Sequence, residues 1–212
     1  MRTVARYWVS VLFVVLAFAS ASLLYGQLPD PVPTRWGIYG EIVGLMPKPF
    51  GAFFLPFLGL LSSSLLIAAP KLAPRGFSIA SFDRVYPTIV AAISGFSLYM
   101  TVVALLASND GILDRSRVTA GAGVLLAVVG NYLGKVTRSF MGICTPWTLA
   151  NDVVWERTHR FAGRVFVAGG AIIFWLAITS PKHTVASLTI LAITILAPII
   201  YSFVVWLRLE TR

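Results

Sequence analysis

Long apolar segments alternate with short polar ones along most of the chain. Crossing about 30 Å of hydrocarbon as an α-helix takes about 20 residues, and six of the apolar segments are long enough. We predict these spans at Val4 to Tyr25, Phe50 to Ala69, Val85 to Ala107, Val118 to Gly134, Phe161 to Thr179 and Ala186 to Leu207. The pattern therefore predicts an all-α, polytopic integral membrane protein with six transmembrane helices.

The composition supports membrane embedding. The 212 residues are 58% apolar and 12% charged, with a mean hydropathy of +0.84, whereas soluble domains are about one-quarter charged. The first span follows Arg2 and Arg6 and is longer than the apolar region of a typical signal peptide, so we expect it to be retained. Cys144 is the one cysteine, which excludes an internal disulfide and a cysteine-cluster metal site. We predict no metal and no cofactor.

The distribution of charge predicts the orientation. With both termini in the cytoplasm, 12 of the 17 cationic residues lie inside and five outside, whereas the eight acidic residues divide equally. Lys and Arg are retained on the cytoplasmic side, so this orientation follows the positive-inside rule. It explains the net charge of +9 without direct binding of nucleic acid. The inner cations are Arg2, Arg6, Lys71, Arg75, Arg84, Lys135, Arg138, Arg157, Arg160, Arg164, Arg208 and Arg212.

The spans contain few residues of the kinds that bind ions or phosphate groups. No span holds an acid, lysine or histidine near its centre, which disfavours an ion-coupled transporter. Gly169-Gly170 and Gly121-x-Gly123 fit close helix approach better than phosphate binding. We divide the chain into a two-span region, residues 1–84, and a four-span region, residues 85–212.

The outer loop, Gly26 to Pro49, is rich in proline and glycine. Proline fixes φ and glycine admits positive φ, so we expect a shaped, turn-rich segment with little regular structure. Two interpretations stay open, a rigid cap on the bundle and a contact surface for something arriving from outside. Our candidate contact residues are Pro33, Thr34, Arg35, Trp36, Glu41 and Lys48.

A polar passage, residues 130–164, lies at the inner side and is called here the signature segment. Pro146 forces Thr145 into an extended conformation, and Asn151 or Thr148 can cap a new helix after it. On that helix Trp155 and His159 share a face, and Glu156 with Arg160 forms a favourable i,i+4 pair.

His159 is a weak catalytic candidate, because no second histidine, cysteine or serine nucleophile accompanies it. We predict that the protein is not an enzyme and has no catalytic residues. The candidate partner- or ligand-binding residues of the segment are Asn131, Lys135, Thr145, Pro146, Trp147, Thr148, Trp155, Thr158, His159 and Arg160.

The signature segment resembles a known family. The patterns Gly-Asn-x-x-Gly-Lys, Gly-Ile-x-Thr-Pro-Trp-Thr-Leu and Val-Trp-x-x-Thr-His-Arg-x-x-Gly, between Gly130 and Gly163, are similar to those of the SdpI family of membrane immunity proteins. The sequence from Leu28 to Lys48 is similar to the domain of unknown function that often precedes them. It departs from the pattern at Arg35, where the family usually has histidine, and at Val43, where it has aspartate.

The resemblance implies a multi-pass protein of the bacterial cytoplasmic membrane that protects against a membrane-active peptide toxin. It also implies a cytoplasmic repressor of the ArsR type as a partner, bound when toxin is present. In this hypothesis toxin contact at the outer loop favours one of two bundle arrangements, which reshapes the signature segment.

Two alternatives remain open at this point. In one, the protein is a membrane enzyme or transporter that binds a small anionic substrate at Asn131, His159 and Arg160. In the other, the signature segment folds back and holds spans four and five together, with Trp147 and Trp155 as interface anchors.

Overall fold

The computed structural model describes residues 6–72, 85–135, 142–179 and 181–210. Six described helices are long and apolar enough to cross a membrane, which confirms the predicted polytopic, all-α architecture. A short helix and two 3₁₀ turns, Tyr25–Gln27 and Pro181–His183, complete the helical structure described. The helices are α1 (Trp8–Leu24), α2 (Lys48–Leu72), α3 (Tyr86–Asp110), α4 (Arg115–Leu133), α5 (Pro146–Ala150), α6 (Asp152–Thr179) and α7 (Thr184–Glu210).

The predicted spans agree with these helices except at the fifth. We placed the start of this span at Phe161, but α6 runs unbroken from Asp152 to Thr179, so the helix predicted after the Thr145-Pro146 step continues directly into the span. The orientation of the bundle remains a prediction. Several residues used for it lie outside the described residues, namely Arg2, Arg75, Asp83, Arg84, Arg138 and Arg212.

The long helices pack as two groups of three. Helices α1, α2 and α3 contact one another, as do α4, α6 and α7 through α6, and α3 with α4 joins the groups. By contact α3 therefore belongs with the N-terminal helices. The division of the chain at residue 84 stays a prediction.

Glycines set the close approach of α4 and α6. A Cβ added at Gly170 would lie 2.5 Å from the Gly123 carbonyl oxygen, and one added at Gly163 would lie 2.9 Å from that of Gly130. Both separations are too short for a side chain, so the two backbones touch at two points seven residues apart on each helix. This confirms the predicted role of Gly123 and Gly170.

The outer loop contains a β-hairpin, so our expectation of little regular structure was wrong. Strands β1 (Val32–Trp36) and β2 (Ile42–Met46) pair antiparallel around a turn in which Gly40 has a φ of 87°. The tip is fastened to the α3–α4 turn, because Leu113 N–H donates to the Gly40 carbonyl at 2.9 Å. The outer hairpin therefore covers the N-terminal group of helices.

A buried cluster joins the two groups at the other end of the bundle. It contains Tyr7 of the chain start, Tyr86 and Val90 of α3, Leu133 of α4 and Trp155 of α6. The Tyr7 and Tyr86 rings are perpendicular, with centroids 6.4 Å apart. The signature segment thus packs directly on the inner ends of the N-terminal helices.

Candidate functional site

In the inner loop, residues 142–150, side chains form hydrogen bonds with both the backbone N–H and the backbone carbonyl of Ile143. Thr145 and Thr148 form a capping box at the start of α5, in which Thr148 Oγ1 accepts from Thr145 N–H at 2.8 Å. The Thr148 hydroxyl donates to the Ile143 carbonyl at 2.7 Å. Thr145 is extended, with ψ at 159°, as Pro146 predicts.

His159 binds the backbone N–H of Ile143. Its Nε2 accepts from Ile143 N–H at 3.0 Å, and its Nδ1 donates to the Trp155 carbonyl at 2.9 Å. These partners assign the neutral ring with its proton on Nδ1. The ring stacks on Trp155 with centroids 3.9 Å apart. Gly142 has a φ of 132° beside it, where a Cβ would lie 2.4 Å from Nε2.

Four predicted binding residues are therefore inside the protein, and one of them is Thr148, which is 0% exposed. Trp155, Thr158 and His159 are 2%, 0% and 1% exposed. Both ring nitrogens of His159 have partners, so the ring is not offered to a substrate in this arrangement. These buried side chains do not contact solvent and so cannot contact a binding partner directly. They can affect binding only by fixing the position of the inner loop.

Trp147 fastens the inner loop to the last helix. Its Nε1–H donates to Ser202 Oγ at 2.8 Å, and its ring packs on Phe203 and Trp206, at centroid distances of 5.3 and 5.9 Å. Sequence reasoning missed Ser202, whose only signal is a hydroxyl within an apolar helix. The contact ties α5 to α7.

The remaining inner candidates line an open groove between the end of α4 and the start of α6. Asn131, Lys135 and Arg160 contribute to it, together with Arg164, which the sequence analysis did not select. The groove encloses about 590 Å³ and is called here the basic groove. His159 is absent from its walls. The predicted inner site thus divides into a buried clamp on Ile143 and an exposed basic groove.

Local hydrogen bonds support the predicted start of α6. Asn151 Oδ1 accepts from Val153 N–H at 2.8 Å, so Asn151 caps the helix. Thr148, the alternative cap, serves α5 instead. Arg160 pairs with Glu156 one turn earlier, as predicted, and both side chains are 62% exposed.

The outer candidates divide between the bundle and solvent. Pro33 is buried, and its carbonyl accepts from Ser108 of α3 at 3.4 Å. Thr34 and Trp36 line a small cavity against α2 and α3. The position of these three residues fits the interpretation of the loop as a rigid cap.

The other outer candidates lie nearer the surface. Glu41 is exposed and accepts from Tyr39 N–H in the turn at 3.0 Å. Lys48 begins α2, where Asp30 accepts its N–H at 3.2 Å. Arg35 is exposed, and its guanidinium lies over Gly44 in β2, next to Val43. Both departures from the family pattern therefore fall in one part of the hairpin.

The free side of the outer hairpin is apolar. Ile38 and Tyr39 at the turn are 72% and 70% exposed, and Val43 and Leu45 of β2 are 57% and 54% exposed. The sheet has two strands, so each strand keeps one unpaired edge. Within the described part of the chain, no group of three or more His, Cys, Asp or Glu side chains could hold a metal ion.

Comparison with known proteins adds to this geometry. Residues 12–60 match a domain of unknown function, DUF1648, and residues 135–202 match the SdpI/YfhL protein family. The second match begins after Asn131 and extends into α7. It includes Ser202, the partner of Trp147.

The similarity extends over most of the chain. Immunity protein SdpI of Bacillus subtilis (strain 168) is 24% identical to this chain over 187 residues, which cover 87% of each protein. No solved structure matches the chain. The six long apolar helices and these matches indicate a multi-pass bacterial membrane protein that is similar to the SdpI/YfhL family, with a region similar to DUF1648 before the region similar to SdpI.

Proposed function

We propose that this protein confers immunity to a membrane-active peptide toxin and that the outer hairpin is the surface the toxin meets. The name of the Bacillus subtilis relative supports the immunity function. The observation that carries the site is the exposed apolar ribbon of Ile38, Tyr39, Val43 and Leu45 on a hairpin otherwise fixed to the bundle.

The ribbon has the chemistry to receive an amphipathic peptide. A membrane-active toxin carries an apolar face, and burying apolar area contributes about 25 cal/mol per Å². The unpaired edge of β2 also offers backbone donors and acceptors, by which an extended peptide can add a strand. Binding here would hold the toxin at the outer surface before it enters the bilayer.

The inner end would respond through the buried cluster of Tyr7, Tyr86 and Trp155. The hairpin packs on α2 and α3, and α3 contributes Tyr86 to that cluster. A shift of α3 would therefore change the packing of Tyr86 against Trp155 of the signature segment. A toxin can shift this balance only by its different affinity for the two arrangements. Arg160 is 62% exposed at this end and is the residue that we propose for repressor contact.

The proposed outer site can be tested by survival of toxin-sensitive bacteria. Cells lacking their own immunity protein would express the wild type, a Val43→Ser/Leu45→Ser variant or a Val185→Ser control, at equal membrane abundance. Val185 is 74% exposed at the start of α7, away from the hairpin. We expect the wild type and control to survive challenge with the membrane-active peptide toxin and the hairpin variant to lose protection. Equal protection by all three would remove the hairpin from the proposal.

The two alternatives receive unequal support. A small-anion site at Asn131, His159 and Arg160 would need a shared cavity, whereas His159 bonds Ile143 on another side of α6. The interpretation of the segment as a structural tie is supported by its clamp and by its contacts with α7. It predicts that His159→Ala lowers the melting temperature and every activity together.

A further inference from the structure

The basic groove combines a cationic mouth with an apolar floor. At its inner end are Asn131, Lys135, Arg160 and Arg164. Toward the middle of the bundle, small and apolar residues of α6 form the wall, among them Val167, Ala168 and Ala171. A free soluble anion would use only the first of these two parts.

The dimensions of the groove match one leaflet of a membrane. Arg160, Arg164, Ala168 and Ala171 follow one face of α6, and 11 residues at 1.5 Å per residue extend about 16 Å. One leaflet is about half of the 30 Å hydrocarbon core. Arg160 and Arg164 form the cationic part of that length, so the apolar wall from Val167 to Ala171 extends about 6 Å and can contact the first part of one acyl chain.

Two of the three cations at the mouth have no acidic partner within the described residues. Arg160 pairs with Glu156, but no described acidic side chain pairs with Lys135 or Arg164. The Lys135 ammonium lies 5.3 Å from the centre of the Tyr132 ring, at the level where aromatic residues meet lipid headgroups. A phosphate between Lys135 and Arg164 would complete the site.

We propose that the basic groove binds one anionic phospholipid of the adjacent leaflet. Its phosphate lies at Lys135 and Arg164, with Asn131 beside them, and one acyl chain runs along Val167 and Ala168. This inference concerns a ligand of the membrane itself and does not depend on the toxin. It also gives the exposed cations of the signature segment a role that the clamp on Ile143 does not.

The test uses the full chain in phosphatidylcholine nanodiscs that contain a small fraction of phosphatidylglycerol. Native mass spectrometry would count retained lipids for the wild type, Lys135→Gln/Arg164→Gln and Ala168→Phe. Ala168 is exposed, so the added ring fills the groove without overpacking the core. Arg157→Gln/Arg208→Gln is the charge-matched control, because Arg157 and Arg208 are exposed cations outside the groove. Circular dichroism would confirm that each variant is folded.

We expect one phosphatidylglycerol per protein to be retained at least ten-fold over phosphatidylcholine. In the Lys135→Gln/Arg164→Gln variant, the preference for phosphatidylglycerol over phosphatidylcholine should fall at least ten-fold, because each cation near an anionic lipid raises the affinity about five-fold. Ala168→Phe should reduce retention, and Arg157→Gln/Arg208→Gln should leave it unchanged. Equal losses in the double variant and the control would mean general surface attraction and overturn the proposal. Full displacement of the lipid by millimolar glycerol 3-phosphate would also overturn it, in favour of a small-anion site.

Discussion

Replacing His159 with alanine removes the ring that fixes the inner loop. Ile143 N–H would lose its acceptor at 3.0 Å, and the Trp155 ring would lose its partner at 3.9 Å. Gly142 packs against the same ring, so the loop would lose three contacts at once. His159 is 1% exposed, so water does not replace the ring while the loop stays closed.

The expected cost follows from these contacts. A buried donor without a partner costs about 1–3 kcal/mol, and removal of a large buried ring costs about 3–5 kcal/mol. When the loop opens, Ile143 N–H binds water, which offsets part of this cost. We therefore expect the loop to be destabilised by about 3 kcal/mol, which raises the opening equilibrium constant about 100-fold. Glutamine can place an oxygen near the position of Nε2 and keep the bond from Ile143 N–H, but it loses the bond from Nδ1 to the Trp155 carbonyl. His159→Gln should therefore raise the opening equilibrium constant only about ten-fold.

Amide hydrogen exchange of the peptide containing Ile143, in nanodiscs, measures this opening directly. We expect exchange to be fastest in His159→Ala, intermediate in His159→Gln and unchanged in Arg160→Gln, an exposed neighbour. Wild-type protection in the alanine variant would refute the clamp. Equally fast exchange in the glutamine and alanine variants would show that the accepting atom at Nε2 is not what holds the loop.

Three further predictions test other contacts of the site. Gly170→Ala should lower the melting temperature by several degrees, because its Cβ would lie 2.5 Å from a backbone oxygen of α4, whereas Gly26→Ala, with nothing within 4 Å, should not. Trp147→Phe and Ser202→Ala should each cost about 1 kcal/mol in thermal unfolding, and the double variant no more than one of them, because they share one hydrogen bond; additive losses would contradict this. Burial raises the pKa of the Cys144 thiol, so its thiolate fraction at neutral pH is below that of free cysteine. Maleimide labelling should therefore be slow at neutral pH and faster as pH rises, and an impermeant maleimide should label inverted vesicles but not intact cells if the inner loop is cytoplasmic.

The features that depend on local spacing were predicted from the sequence. The spans follow from apolar length, the cap at Asn151 from its place before a helical pattern, and the Glu156–Arg160 pair from i,i+4 geometry. The close approach at Gly123 and Gly170 follows from small residues within apolar helices. The first three of these depend on residues a few positions apart, and the glycines indicated close helix approach without identifying the partner helix.

The features that depend on distant partners were not predicted. Helical spacing places His159 and Trp155 on one face but does not say that the loop at Ile143 covers that face. The Ser202 partner of Trp147 is 55 residues away. The hairpin was missed because its strands are five residues long, contain Pro33 and Gly44 and pair with register shifts, so no strict alternation marks them.

The central claim is that the protein preserves the membrane barrier against a peptide toxin. The most direct measurement is membrane potential, by a voltage-sensitive dye, in toxin-challenged cells with the wild type, His159→Ala or no copy, at matched membrane abundance. The account predicts that the wild type holds the potential, that cells without a copy depolarise, and that the variant with an opened inner loop protects poorly. Depolarisation of wild-type cells as fast as cells without a copy would contradict it.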